Sequence, residues 1–245
     1  MTASDRRAVL LLSHGSRDPR AEFVVDELVS AVAASTGSTV RAAHLEFTSP
    51  TPVVALRQLA AEGFGSVRLV PLLFTPGYHA THDVPVAVEA SFATRGMHVS
   101  VAPPLLSVGR RERDLLLKAL TDRLAQAGAD PDVDALVLAS AGSSSETASL
   151  HIQRLASDLA EAHGIPVVYA FDSAAAPSLT QALEALSAKG IQLPAVASLF
   201  VSPGRLPVPV VVSCTGRTVE GPAGVNPSCV ELLCAVFHTT PALWS

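Results

Sequence analysis

The sequence predicts an α/β protein built from two similar doubly wound parallel-sheet domains of the flavodoxin or Rossmann type. Three observations lead there. Short apolar runs alternate with longer amphipathic stretches. The apolar runs are continuous rather than alternating, as strands covered on both faces must be. The chain also repeats itself at one constant offset, so whatever the first half builds, the second half builds again.

The elements of the first half follow in order. AVLLLS (8–13) reads as a buried strand, and PRAEFVVDELVSAVAAS (19–35) as a helix. Asp18 is placed to cap that helix, and Pro19 takes its first position, where a missing N–H costs nothing. STVRAAHLE (38–46) is a second strand, PVVALRQLAAEG (52–63) a second helix and SVRLVPLLF (66–74) a third strand. In such a sheet ligands bind beyond the carboxyl ends of the strands. The segment His14-Gly15-Ser16-Arg17, which joins the first strand to the first helix, therefore lies on the ligand-binding edge.

Setting residue n against residue n+127 places LLSHGSR (11–17) on LASAGSS (138–144) and LLFTPG (72–77) on LFVSPG (199–204). Pro50, Leu56, Leu59 and Gly63 fall on Pro177, Leu183, Leu186 and Gly190. The expected domains are 1–130 and 131–245, divided where Ala129-Asp130-Pro131 follows a helical run. Beyond Gly204 the second copy is about nine residues shorter, and Pro207 and Pro209 oppose a full helix there.

Composition narrows the class of function. With 245 residues, 49% of them apolar, the chain can bury a substantial core. A net charge of -5 and the lack of any Lys/Arg run argue against nucleic acid as a partner. No apolar run reaches the roughly 18 residues of a membrane span. The two arginines before the five-residue apolar run near the N-terminus lead into a strand rather than a cleavage site, so a cytoplasmic location is expected. Cys214, Cys229 and Cys234 match no zinc or redox spacing and read as reduced, small hydrophobic residues.

The repeat also separates scaffold from chemistry, because a site used once should survive in one copy only. His14 faces Ala141, Glu46 faces Ser173 and His79 faces Leu206. Each of the three follows a strand of the first copy, so the topology can bring them to one sheet edge. Two imidazoles and a carboxylate form an open site for a divalent first-row metal and supply bases for proton removal.

Neighbouring polar residues have plainer readings. Asp83 suits the cap of the helix beginning VPVAVEASFA, and His82 a solvated loop position. His44 sits two residues before Glu46 in a strand, and His98, His151, His163 and His238 have no polar companions in sequence. Arg17, Arg20, Arg110, Arg111, Arg113 and Arg205 are the cations placed to hold carboxylates, with Ser16, Arg17 and Arg205 the substrate contacts to expect. An aromatic content of 4% argues against a site built on stacking.

LLSHGSR, HLEFTSPTP and PLLFTPGYHATHDVP, in that order, resemble the CbiX/SirB sirohydrochlorin chelatases of the class II chelatase superfamily, in their long two-domain form. The resemblance implies insertion of a divalent metal, Fe²⁺ or Co²⁺ and by extension Ni²⁺, into sirohydrochlorin in siroheme or cobalamin biosynthesis. It implies His14 and His79 as metal-binding, proton-abstracting histidines and Glu46 as a further ligand or acid/base. The octacarboxylate tetrapyrrole would lie between the domains, with the metal as substrate, no organic cofactor, and a monomer or homodimer as the working form. Two other readings compete. A metal or tetrapyrrole carrier would keep the site without turnover. A histidine phosphatase would use His14-Gly15 after a strand, but Ser13 stands where that chemistry needs an arginine.

Overall fold

The structure, a computed structural model, describes residues 6–89, 96–126, 133–173, 175–201 and 227–237. The first half runs β1 (Arg7–Ser13), α1 (Pro19–Thr36), β2 (Thr39–His44), α2 (Pro52–Ala61) and β3 (Ser66–Pro71). A π-helical turn (His79–Asp83) leads into α3 (Val84–Glu89), followed by β4 (His98–Val101) and α4 (Arg110–Gln126). The second half runs β5 (Ala135–Ser140), α5 (Glu146–His163), β6 (Val167–Phe171), α6 (Leu179–Ser187), β7 (Pro194–Ser198) and α7 (Pro227–Phe237). Both sheets are parallel, in the orders β2-β1-β3-β4 and β6-β5-β7. In each, the first strand lies between the two that follow it, which opens a crevice at its carboxyl end.

The 127-residue offset holds at the level of individual bonds. Helices α1 and α5 are displaced by that amount at both ends, and Gly37 and Gly164 close them with φ of 65° and 67°. Past the strand ends, Leu45 N donates to Ser13 O (3.0 Å), as Asp172 N does to Ser140 O (2.9 Å). Leu72 N donates to Leu12 O as Leu199 N does to Ala139 O, both at 2.8 Å. Asp18 caps α1 through its side chain, as the sequence leads one to expect, and Ser145 does the same for α5.

Strand periodicity decides where each side chain is buried. Val9 and Leu11 of β1, with Leu136 and Leu138 of β5, enter one apolar cluster shared by both halves. Ala8, Leu10 and Leu12 face α2 in a core of the first half, and Ala135, Val137 and Ala139 face α6 in a core of the second. The last helix of each half crosses over. Helix α4 packs on α5 and β7, α7 packs on α1 and β3, and the two helices pack on each other. Arg113 Nη1 reaches Asp158 Oδ2 at 3.5 Å, and the Ser228 hydroxyl donates to Asp122 at 2.9 Å. The halves are therefore interlocked, and each fully buried leucine of α4, such as Leu116, contributes about 1.5–3 kcal/mol to holding them so.

Helix α7 lies within the C-terminal stretch VNPSCVELLCAVF. Its Cys229 is buried, and burial pushes the thiol up to about 12, which fits a small hydrophobe and no redox role. Cys214, Arg205, Leu206, Pro207, Pro209 and His238 lie outside the described residues. Among the described residues no helix is long and apolar enough to cross a membrane.

Candidate metal centre

Three neighbouring strand ends deliver the site. The backbone pairing of β1 and β2 continues beyond the strands, with Glu46 N donating to His14 O at 2.9 Å, so the two residues are held side by side. Gly15, at φ 88°, lets the chain turn directly against Glu46, since a Cβ there would run into the Glu46 carbonyl oxygen. Gly142 does the same against Ser173 in the second half, so the turn is scaffold and the side chains around it are not. His79 opens the π-helical turn after β3, a rare local form met at functional positions.

His14, Glu46 and His79 converge. Each offers one ligand atom, and these atoms all lie within 4.8 Å of one another. The Nε2 atoms of His14 and His79 are 3.1 Å apart, with the rings edge to face and their centroids 4.4 Å apart. The far nitrogens face oxygen acceptors: His79 Nδ1 lies 2.6 Å from Asp83 Oδ2, and His14 Nδ1 lies 3.2 Å from Gly15 O. A neutral imidazole carries one hydrogen. With that hydrogen directed to oxygen in both rings, the two Nε2 atoms are left as neighbouring acceptors, an arrangement that a cation between them satisfies. Two nitrogens at this spacing can both reach one ion about 2.0–2.1 Å away. Glu46 is exposed and adds an oxygen ligand and a negative charge, leaving the remaining coordination positions open.

Asp83 is the functional neighbour that sequence reasoning missed. It reads as a helix cap, yet it closes the π-helical turn and its carboxylate accepts from His79. The signal was the four-residue spacing, which puts both side chains on one face of a helical turn. Such a carboxylate fixes the orientation of the ring that it bonds. His82 stays apart from the trio and packs on Tyr78, with ring centroids 4.9 Å apart.

The remaining candidates sort themselves by partner. His44 is buried, and its Nδ1 lies 2.7 Å from Ser13 Oγ. That hydroxyl accepts from Gly15 N, so its own hydrogen goes to His44. His163 meets Thr121 Oγ1 at 3.0 Å, a companion distant in sequence. Arg20 is spent on Asp18, and Arg113 on Asp158. Ser16 and Thr48 exchange bonds, Ser16 N to Thr48 Oγ1 and Thr48 Oγ1 to Ser16 O. Arg17 has no acidic partner within 4.0 Å among the described residues, and its guanidinium lies over the Phe47 ring, 4.7 Å from the centroid. Aromatic rings flank the trio: the Phe47 ring centroid lies 6.1 Å from that of His14 and the Tyr78 ring centroid 5.9 Å from that of His79, and Phe47 is 55% and Tyr78 60% exposed. From the second half, Ser143 approaches the loop before His79, close enough that its Oγ would lie 3.1 Å from a Cβ at Gly77.

The family model described as CbiX matches residues 8–127 and 135–210. A sirohydrochlorin cobaltochelatase of Methanococcoides burtonii is 31% identical over 99 residues, covering 40% of this chain and 76% of that protein. A chloroplastic sirohydrochlorin ferrochelatase of Arabidopsis thaliana is 26% identical over 122 residues, covering 49% of this chain and 52% of that protein. Among solved structures, SirB from Bacillus subtilis with Fe³⁺ shares the fold, with a TM-score of 0.77, 20% identity, and 94% of this chain and 93% of that one covered. The family match spans both sequence repeats and includes His14, Glu46 and His79. This chain belongs to the CbiX family.

Proposed function

We propose that the chain is a sirohydrochlorin chelatase, a lyase that inserts a divalent metal, Fe²⁺ or Co²⁺, into sirohydrochlorin. The observation that carries this reading is the convergence of His14, Glu46 and His79 at the carboxyl edge of one sheet, with the two Nε2 atoms 3.1 Å apart. Family membership and the names of the relatives support the substrate. The metal is a substrate here rather than a resident cofactor, and the chemistry needs no organic group.

In the reaction M²⁺ enters the macrocycle as two pyrrole N–H protons leave. His14 and His79 hold the ion through Nε2, and Glu46 supplies the third donor. As the ion transfers to the pyrrole nitrogens, the imidazoles it vacates become bases within reach of the departing protons. The Asp83 carboxylate stabilises the charge that develops on His79. In this reading residues 1–130 carry the site and residues 131–245 close the cleft, with Ser16, Arg17 and Arg205 meeting substrate carboxylates. The affinity order places Co²⁺ above Fe²⁺ at an N/O site, so metal supply decides between siroheme and cobalamin. A cytoplasmic location, as a monomer or homodimer without nucleic-acid or membrane partners, completes the reading.

The test is anaerobic metallation of sirohydrochlorin with Fe²⁺, Co²⁺ and Ni²⁺ in turn, followed by absorbance. The metallated spectrum should appear faster with the wild type than in the uncatalysed control. Equal rates for the wild type and a His14→Ala/His79→Ala double variant would overturn the proposal, and binding without a spectral change would assign a carrier.

A further inference from the structure

Phe47 is the one non-glycine residue with positive φ among the described residues, at 61°, and it adjoins the metal trio. A bulky residue is uncommon in that region of backbone space and is held there only when its surroundings over-determine it. They do so here. Thr48 N donates to Glu46 O at 2.6 Å, closing a tight turn with Phe47 at its apex. Glu46 is tied to His14 by its backbone and Thr48 to Ser16 by its hydroxyl, so both flanks of Phe47 are anchored to the loop that bears His14.

The ring gains little from the fold in return. It is 55% exposed and belongs to no apolar core cluster. A glycine would take the same φ without steric conflict, so folding alone does not call for a phenylalanine there. What the conformation does achieve is placement. The Phe47 ring stands 6.1 Å from the His14 ring, centroid to centroid, and carries the Arg17 guanidinium on its face. A conjugated face and a cation without an acidic partner among the described residues thus sit together beside His14, one of the trio whose ligand atoms lie within 4.8 Å of one another. That pairing suits a ligand that is itself flat, conjugated and fringed with carboxylates.

We infer that Phe47 is a substrate-positioning residue: its ring receives the face of the tetrapyrrole near the rim while Arg17 takes a peripheral carboxylate, setting the macrocycle's centre over the trio. The inference rests on the chelatase reading and adds to it the residue that orients the macrocycle. Replacing Arg17's contact with the ring by contact with substrate leaves no buried charge uncompensated, because the guanidinium moves from a π face to a carboxylate.

The experiment titrates metal-free sirohydrochlorin, by its fluorescence, into wild type, Phe47→Gly, Phe47→Ala and Phe47→Tyr, with Co²⁺ titrations of the same proteins alongside. Phe47→Gly relieves the backbone and removes only the ring, so a loss in that variant cannot come from strain. Macrocycle affinity should fall about tenfold in the Gly and Ala variants and recover in the Tyr variant, while Co²⁺ affinity changes by less than about twofold. In turnover the Gly variant should raise KM more than it lowers kcat. Undiminished macrocycle binding by Phe47→Gly would overturn the inference and leave the chelatase reading intact. Loss of Co²⁺ binding in all three variants would assign Phe47 to holding Glu46 and overturn it as well. A wild type that neither binds nor metallates sirohydrochlorin would remove the chelatase reading, and this inference with it.

Discussion

His79 Nδ1 and Asp83 Oδ2 lie 2.6 Å apart across a single π-helical turn, so the carboxylate takes Nδ1 and leaves Nε2 to face His14. Asp83→Ala should weaken Co²⁺ binding by about 10–100-fold, and Asp83→Asn by less, because an amide oxygen still accepts from Nδ1 but carries no charge. Calorimetry measures the affinities. The ¹⁵N spectrum of the ring should show His79 losing its fixed Nδ1–H form in the Ala variant, and an unchanged spectrum would dismiss the role.

The Nε2 atoms of His14 and His79 lie 3.1 Å apart, so in the proposed reaction they share one ion and should behave as a unit. Each single alanine variant is expected to slow metallation by about 100-fold or more, and the double variant by little beyond the worse single. Independent, multiplying losses would mean the two rings do not share an ion.

Gly15 and Gly37 have positive φ in common but differ in what surrounds them. Gly37→Ala meets no neighbour within 4 Å and should cost about 1–2 kcal/mol, the left-handed penalty alone. Gly15→Ala must also displace the Glu46 backbone, so it should cost more than that and weaken Co²⁺ binding too. Urea unfolding and metal titration of the two variants separate the effects.

Ser13 and Ser140 occupy equivalent strand ends, but Ser13 faces His44 whereas Ser140 faces Phe171, 127 residues on. The Ser140 hydroxyl is buried with no hydrogen-bond partner among the described residues. Ser140→Ala should therefore be neutral or stabilising by up to about 1 kcal/mol, whereas Ser13→Ala strands a buried His44 nitrogen and should cost about 1–3 kcal/mol. Equal effects on the denaturation midpoint would contradict this assignment.

Burial holds the His44 imidazole below its ordinary value of 6.5, although the Glu22 and Asp26 carboxylates pull it back up. The unfolded chain then takes up the proton first as pH falls below about 6.5, so stability drops on acidification until the folded imidazole also protonates. Above that window the group contributes no pH dependence. Comparing unfolding at pH 8 and pH 5.5, the wild type should lose more stability than His44→Phe, which carries the second repeat's residue. The difference in slope is the readout, since the variant also orphans Ser13.

The parallel sheets were legible from continuous apolar runs, the first helix cap from Asp18-Pro19, and the trio from the repeat. Duplication supplied an internal control, so Ala141, Ser173 and Leu206 marked His14, Glu46 and His79 as dispensable to the scaffold. Asp83 escaped because capping is an adequate local explanation for an aspartate before an apolar run, and nothing local announces a π-helical turn. Phe47 escaped because its distinction is a backbone angle, and a 4% aromatic content hid that two of its rings stand beside the metal point.

By itself the sequence determined the alternation of strands and helices, the repeat, and three candidate ligands, because hydrophobic period and side-chain chemistry are local properties. Only the tertiary structure decided that α4 and α7 exchange places between the halves, that the two Nε2 atoms come within 3.1 Å of each other, and that Asp83 and Phe47 flank them. Those relationships depend on strand order and on bonds between loops about 30 or more residues apart, such as Glu46 N to His14 O. Chain topology sets such distances, and no single stretch of residues carries them.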